Sequence, residues 1–358
     1  MLLTAGFPKM NFEKSEKRDF LPSFFGELEK IENSILLEKK YGEKLGYTEH
    51  DYLKENPNIK FVDRIDTLRC DLVTIIRTIS MKELDLLKDG STLFSMLHYI
   101  THKKRNELLN KKNIKMFSMD SITNDFNERI MEDFPGTVKS AINTGFQEFI
   151  KKPHNKDKRK IIFTVIGSGK IGRLAVFYAV HSTNVPVIVK TIGKNVTSNK
   201  ELMQSIFKTT DILVDATKRT DTCKYVVENE LIKYLPESSV IVDISADEYD
   251  TSIVPMQVKG IEGIVTGSLD KFVFHPDDKE FDSIPKGVNT ANRRTTISCY
   301  SWPGIDYISC LKRYEIQLIP LFKYLLTNQE PNVSSDDYYE RCLARSTFEY
   351  FSKTTRTK

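Results

Sequence analysis

The stretch "IIFTVIGSGKIGRLAVFYAV" (Ile161–Val180) decides the fold. An apolar, β-branched run, Ile161–Ile166, meets three glycines, Gly167, Gly169 and Gly172, spaced G-x-G-x-x-G. Apolar residues at helical spacing follow. In such a strand–turn–helix, the first glycine permits the tight turn and the second lets backbone approach a pyrophosphate. The third lets helix and strand pack closely. The N-terminus of the following helix offers N–H groups and the positive end of its dipole to the phosphates. Glycine triplets alone are weak evidence, but here the flanking strand and helix are both present.

Working outward, further strands are expected at "VPVIVKTI", "DILVDA", "SSVIVDIS" and "TTISCYS". Ahead of the turn, strands are expected in "MLLTAGFP", "CDLVTIIRTI" (Cys70–Ile79), "STLFSMLHYI" (Ser91–Ile100) and "KKNIKMFSMDSI", and a helix after Pro22. "GTVKSAINTGFQEFIKK" reads as a connecting helix and the charged run "KKPHNKDKRK" (Lys151–Lys160) as a solvated linker. The chain reads helical again after Pro303, and the tail "TRTK" is expected to fray. Strands alternating with helices on both sides of the turn predict an α/β fold of two Rossmann-like domains. Each has a mainly parallel sheet, and the active cleft is expected between them.

The usual acidic residue about 20 positions beyond the glycines, which takes the ribose hydroxyls of NAD, is missing. No Asp or Glu occurs between Gly172 and Glu201; Lys190 takes the expected position and Lys194 follows. Cations there suit a 2′-phosphate, which favours NADP over NAD; the alternative is that both lysines are merely solvated.

The chain has 358 residues, 40% hydrophobic and 28% charged, with a net charge of +4. No concentrated basic face argues for nucleic acid. Five scattered cysteines form no C-x-x-C pair, so neither a disulfide framework nor a metal site is expected, and a cytoplasmic setting is the simplest reading. The N-terminus lacks the features of a signal peptide, and no apolar run is long enough to span a membrane.

Strand ends in open α/β sheets face the ligand crevice. Arg77 and His98 close apolar strands, and Arg18 lies just before the helix start at Pro22. Two arginines and a histidine suit an amino or oxo acid, with Arg for the carboxylate and His for proton transfer. The alternative for each is a strand-end residue pointing to water. Asp247, past the end of "VIVDIS", either orients a proton relay or caps the next element.

Together, "GFPK", "EKSEKRDFLP", "YGEKLGYTEHDY", "CDLVTIIR", "LFSMLHYITHKK", "VIGSGKIGR" and "VDISADEYD" resemble, in order, the alanine dehydrogenase and pyridine nucleotide transhydrogenase family. That family includes the lysine-forming saccharopine dehydrogenases and carboxyethyl-ornithine synthase. "VDATKRTD", "KGIEGIVTGSLDKFVF" and "RRTTISCYSWPG" look like a subgroup labelled alanine dehydrogenase without a known substrate.

The resemblance implies a substrate domain of residues 1–137 plus 306–358 and an NAD(P)-binding domain of residues 138–305. It implies that Arg18 grips the substrate carboxylate, although "RDFLP" is one residue shorter than the family spacing. It implies that His98 is the acid–base residue, that Asp120 lies near substrate and that Asp247 lies beside the nicotinamide. Arg77 stands where the family has a catalytic lysine, a departure because Arg does not readily shed a proton. Trp302, in the loop "YSWPG", is a second departure, expected to shape the substrate pocket. Cofactor contacts are expected from Gly167, Ser168, Gly169, Lys170, Ile171, Gly172, Lys190, Ala216 and Thr217.

The implied activity is that of an NAD(P)-dependent oxidoreductase acting on an amino acid/2-oxo acid pair. The alternatives are an opine-type dehydrogenase joining an oxo acid to a larger amine, and a nucleotide-binding sensor without catalysis. Homo-oligomerisation follows by analogy alone.

Overall fold

The computed structural model describes residues 3–11, 13–31, 33–100, 102–245, 247–327 and 329–356. The chain divides into two units, Met1–Asp133 with Tyr307–Lys358, and Phe134–Asp306.

The first unit is built on strands β1 (Thr4–Phe7), β2 (Ser34–Glu38), β3 (Lys60–Val62), β4 (Leu72–Thr74), β5 (Thr92–Ser95) and β6 (Lys115–Ser118). Their order is β3-β2-β1-β4-β5-β6, and every pairing is parallel. The chain works outward from β1 to β3, then returns beside β1 and works outward again from β4. The switch point of the sheet therefore lies between β1 and β4, where the ends of both strands open a crevice. Such strands are covered on both faces and read as short apolar runs. Phe7, Phe20, Phe24, Phe25 and Phe322 form one aromatic cluster in this core.

The second unit holds β7 (Ile161–Ile166), β8 (Val187–Ile192), β9 (Ile212–Asp215), β10 (Val240–Asp243), β11 (Val273–Phe274) and β12 (Thr295–Ser298). Their order is β11-β12-β10-β9-β7-β8, parallel except for the antiparallel pair β11–β12. Its switch point lies between β7 and β9. Helix Phe134–Lys151 packs Phe146 against Phe163 of β7, the rings stacked 5.8 Å apart.

Several expectations need correction. The runs Cys70–Ile79 and Ser91–Ile100 are strands only over Leu72–Thr74 and Thr92–Ser95. Beyond them Ile75, Ile76 and Leu97 stay buried in loops, so apolar character outlasts the strand. The strands β2 and β3 are flanked by charged residues and mixed in composition, so they do not stand out from the sequence.

The charged run at 151–160 is mostly exposed, as a solvated stretch should be, but three of its residues are anchored. Lys152 donates to the Ser239 carbonyl at 2.9 Å, buried Asn155 donates to the Phe149 and Ser238 carbonyls, and Lys158 pairs with buried Asp211. These contacts tie the run to the rest of the second unit, of which it is part. The tail is helical through Arg356; Thr357 and Lys358 lie outside the described residues. No described helix is long and apolar enough to cross a membrane.

Candidate active site

In the first unit the segment after β1 carries Glu13, Glu16 and Arg18, and the segment after β4 carries Arg77. These segments leave the two strands that flank the switch point, and their charges meet. Arg18 is almost fully buried, and its Nε and Nη2 donate to the two carboxylate oxygens of Glu16 at 2.9 and 2.6 Å. This is the fork geometry in which a guanidinium binds a carboxylate most strongly. Arg77 reaches the same Glu16 at 3.5 Å and pairs more closely with Glu13. Burial alone would raise the Glu16 pKa, but the Arg18 charge and hydrogen bonds, with Arg77 behind them, hold it down to about 2.

The two arginines expected to grip a substrate carboxylate are thus each paired with a glutamate. The Nε/Nη2 edge of Arg18 is held by Glu16, and the same carboxylate links it to Arg77. Neither glutamate was singled out from the sequence. The sequence offers a local signal for Glu16 alone, two positions from Arg18; Glu13 has none, because its partner Arg77 is 64 positions away.

On the other side of the switch point, β5 and β6 present His98 and Asp120. His98 has φ +46°, left-handed backbone that is rare for a residue with a side chain. Its N–H donates to Asp120 Oδ1 at 3.1 Å, and its imidazole Nδ1 lies 3.4 Å from Asp120 Oδ2. Ser118 donates to the same carboxylate at 2.7 Å. Burial raises the Asp120 pKa, but the His98 and Ser118 contacts outweigh it and hold the group well below the usual carboxylate range. An ionised carboxylate against Nδ1 sets the proton on that nitrogen and leaves Nε2 to act. The His98 side chain is half exposed, so a ligand can reach it. Sequence reasoning named both residues; the structure brings them together.

In the second unit the glycine turn has the geometry its spacing demands. Gly167 has φ +105°, and a Cβ there would meet the Ala216 carbonyl at 2.6 Å. A Cβ on Gly172 would fall 2.0 Å from the Gly167 carbonyl oxygen. A Cβ on Gly169 would meet nothing within 4 Å, so the space a pyrophosphate needs is open there. Helix Lys170–His181 begins at Gly169 with no side-chain cap, as an anion-binding helix start requires. Lys170 lies over the Phe134 ring at 4.7 Å, Ser168 is exposed and Ile171 is half-buried. Ala216 and Thr217 leave β9 directly beside Gly167, and Thr217 donates through N–H and hydroxyl to Asp215. These residues fit a dinucleotide.

Lys190 does not. It lies inside β8 opposite Thr164, and its ammonium donates to Thr209 at 2.9 Å, in the loop that leads into β9. It points to the start of the parallel strands, away from the glycine turn. The residues at the far end of β8 are Gly193 and exposed Lys194, the latter opening a short helix.

Asp247 is paired with Arg219, at 2.7 Å from Nη2 and 3.2 Å from Nε. Its main-chain carbonyl accepts from Lys259 at 2.5 Å. Lys259 in turn forms a buried ion pair with Asp243 at 2.7 Å, at the end of β10. Arg219 and Lys259 stand in the subgroup motifs but carry no local spacing signal that would single them out.

Trp302 requires correction. It is buried in the second unit's core, packs near Phe272 and donates Nε1–H to the Asp243 carbonyl at 3.0 Å. It braces the end of β10 rather than lining a pocket. Among the described residues no cluster of three or more His, Cys, Asp or Glu is arranged to hold a metal.

Residues 13–134 match the family model "Alanine dehydrogenase/PNT, N-terminal domain". Among solved structures, an L-alanine dehydrogenase aligns with a TM-score of 0.70 at 14% identity, covering 96% of this chain and 94% of its own. A transhydrogenase from Sinorhizobium meliloti aligns with a TM-score of 0.63 at 14% identity, covering 90% and 93%. No curated protein matches the chain in sequence. The family model matches part of the first unit, and the two structures share the fold of two Rossmann-like domains over nearly the whole chain.

Proposed function

We propose that the chain is a nicotinamide-dependent oxidoreductase of the alanine dehydrogenase type, acting at a CH–NH centre of an amino acid/2-oxo acid pair. The observation that carries this reading is the imidazole of His98, fixed by Asp120 at the crevice end of the first sheet. Strand β4, which leads to Arg77, pairs directly with β5, which leads to His98.

A bound nicotinamide would supply the hydride acceptor, and the glycine turn and the start of helix Lys170–His181 would hold its pyrophosphate. Arg77, steadied by Glu13 and Glu16, orients the substrate carboxylate. His98 takes a proton as water adds to the imine left by hydride loss, and returns it as the nitrogen departs. General acid–base help of this kind supplies roughly 10²–10⁴-fold. Arg77 carries charge but no labile proton, so proton movement falls to His98 alone. The absence of an acid at the end of β8, with Lys194 there instead, supports NADP over NAD.

The test is a spectrophotometric screen of amino and oxo acids, with and without amines, against NAD(H) and NADP(H), using wild type and His98→Ala. The proposal expects turnover in wild type, and cofactor binding without turnover in the variant. Cofactor binding with no turnover on any substrate in wild type would refute it in favour of a sensor.

A further inference from the structure

We propose that Arg105 and Asn106 are positioning residues that hold the His98 imidazole by gripping the backbone on either side of it. The inference rests on the reading of His98 as the acid–base group.

A residue with a side chain stays in left-handed backbone only where its surroundings over-determine it. Around His98 they do. The Leu97 N–H donates to Ser118 Oγ at 3.0 Å, and the His98 N–H donates to Asp120. The His98 carbonyl accepts from the His102 N–H at 3.1 Å. The two flanking carbonyls are taken by consecutive residues of helix Lys103–Lys111. Arg105 Nη2 donates to the Leu97 carbonyl, and Asn106 Nδ2 donates to the Tyr99 carbonyl at 3.2 Å.

Both side chains are buried, at 5% and 1% exposure. Both are also used incompletely: Arg105 Nε and Asn106 Oδ1 are buried without a hydrogen-bond partner among the described residues. A loop that had only to leave β5 and enter the helix would not need a buried guanidinium spent on one carbonyl, since an incompletely paired buried charge is costly. Burial lowers the Arg105 pKa to about 10, with the Asp120 charge opposing that fall. Arg105 therefore serves twice: it fixes the Leu97 carbonyl, and its charge favours the ionised Asp120 that faces His98 Nδ1. None of this was visible in the sequence, where Arg105 belongs to an unremarkable basic run.

The experiment is 15N NMR of the full chain labelled at histidine, with the His98 ring assigned by loss of its signals in His98→Gln. In wild type the ring nitrogens should report the tautomer protonated at Nδ1. Arg105→Met should shift His98 towards the tautomer protonated at Nε2, and Arg105→Lys should restore part of the wild-type pattern. Once a substrate is in hand, Arg105→Met should lower kcat by about 100-fold, within the range that general acid–base groups supply, with KM and cofactor affinity changed far less. If Arg105→Met does not fold, Asn106→Ala should show the same tautomer shift.

An unchanged His98 tautomer in a folded variant with a lowered Tm would overturn the proposal and leave Arg105 a structural staple. The tautomer is read without turnover. A failed substrate screen would therefore count against the enzymatic reading while the positioning role was judged separately.

Discussion

Replacing Glu16 by Gln removes one negative charge from the centre of the Arg18–Glu16–Arg77 network and keeps its shape. The Glu16 pKa is lowered from 4.5 to about 2. A folded-state pKa below the unfolded one contributes stability above the unfolded value and loses it as pH falls through the folded value. At 1.36 kcal/mol per pKa unit, the shift corresponds to roughly 3 kcal/mol at neutral pH. That agrees with the roughly 3–5 kcal/mol typical of breaking a buried ion pair from one side. Both carboxylate oxygens are bonded by Arg18, so Gln would also turn an amide N–H₂ towards a guanidinium.

A chain of two units need not unfold in one step. The assay is therefore hydrogen exchange of peptides from β1 and β4, followed against urea at pH 7 and at pH 3.5. Glu16→Gln should cost roughly 3 kcal/mol at pH 7, and the difference should shrink by about 1.4 kcal/mol at pH 3.5, where the unfolded wild type is already mostly protonated. A loss below about 1 kcal/mol at pH 7, or a difference that does not shrink in acid, would refute the assignment of Glu16 as the charge that binds both arginines.

Two carboxyls of the first unit run the other way. Burial raises Glu315 to about 7 against the hydrogen bonds from Ser23 and Leu21, and raises Asp19 to about 7 against those from Met10 and Gly42. The stability they add is complete below their unfolded pKa values and is lost as pH rises towards 7. Urea titrations of Glu315→Gln should thus show a flatter pH dependence than wild type between pH 4.5 and 7. Gly172→Ala would place its Cβ 2.0 Å from the Gly167 carbonyl oxygen, so the turn must move. Calorimetry should show a stability loss of about 1–3 kcal/mol, the range for overpacking, together with loss of nicotinamide dinucleotide binding.

The glycine turn was legible because each of its constraints is local: a positive φ, a close carbonyl and an open space follow from three residues within six positions. His98 and Arg77 were legible as charges that close apolar runs. Their partners were harder to read, because contact was made by topology rather than spacing. Glu13 and Glu16 meet Arg77 across more than 60 residues, through the switch between β1 and β4. Lys190 misled because a fixed count of positions was used where the end of β8 mattered; that strand ends two residues later, at Ile192. Trp302 misled because novelty at a loop was read as exposure, whereas its indole is held by the Asp243 carbonyl.

The interrupted course of the first unit has a consequence for how the protein is made. Its sheet is complete in sequence by Ser118, yet the β6 edge is finished only when the Ser118 N–H reaches the Ser346 carbonyl at 2.9 Å. Tyr99, next to His98, also donates its hydroxyl to Ser346. Glu315, which receives the Leu21 N–H and the Ser23 hydroxyl, likewise comes from the late segment. On the ribosome, residues 134–306 emerge whole and can fold as they appear. The earlier-made half must wait for the last helices before these contacts can close.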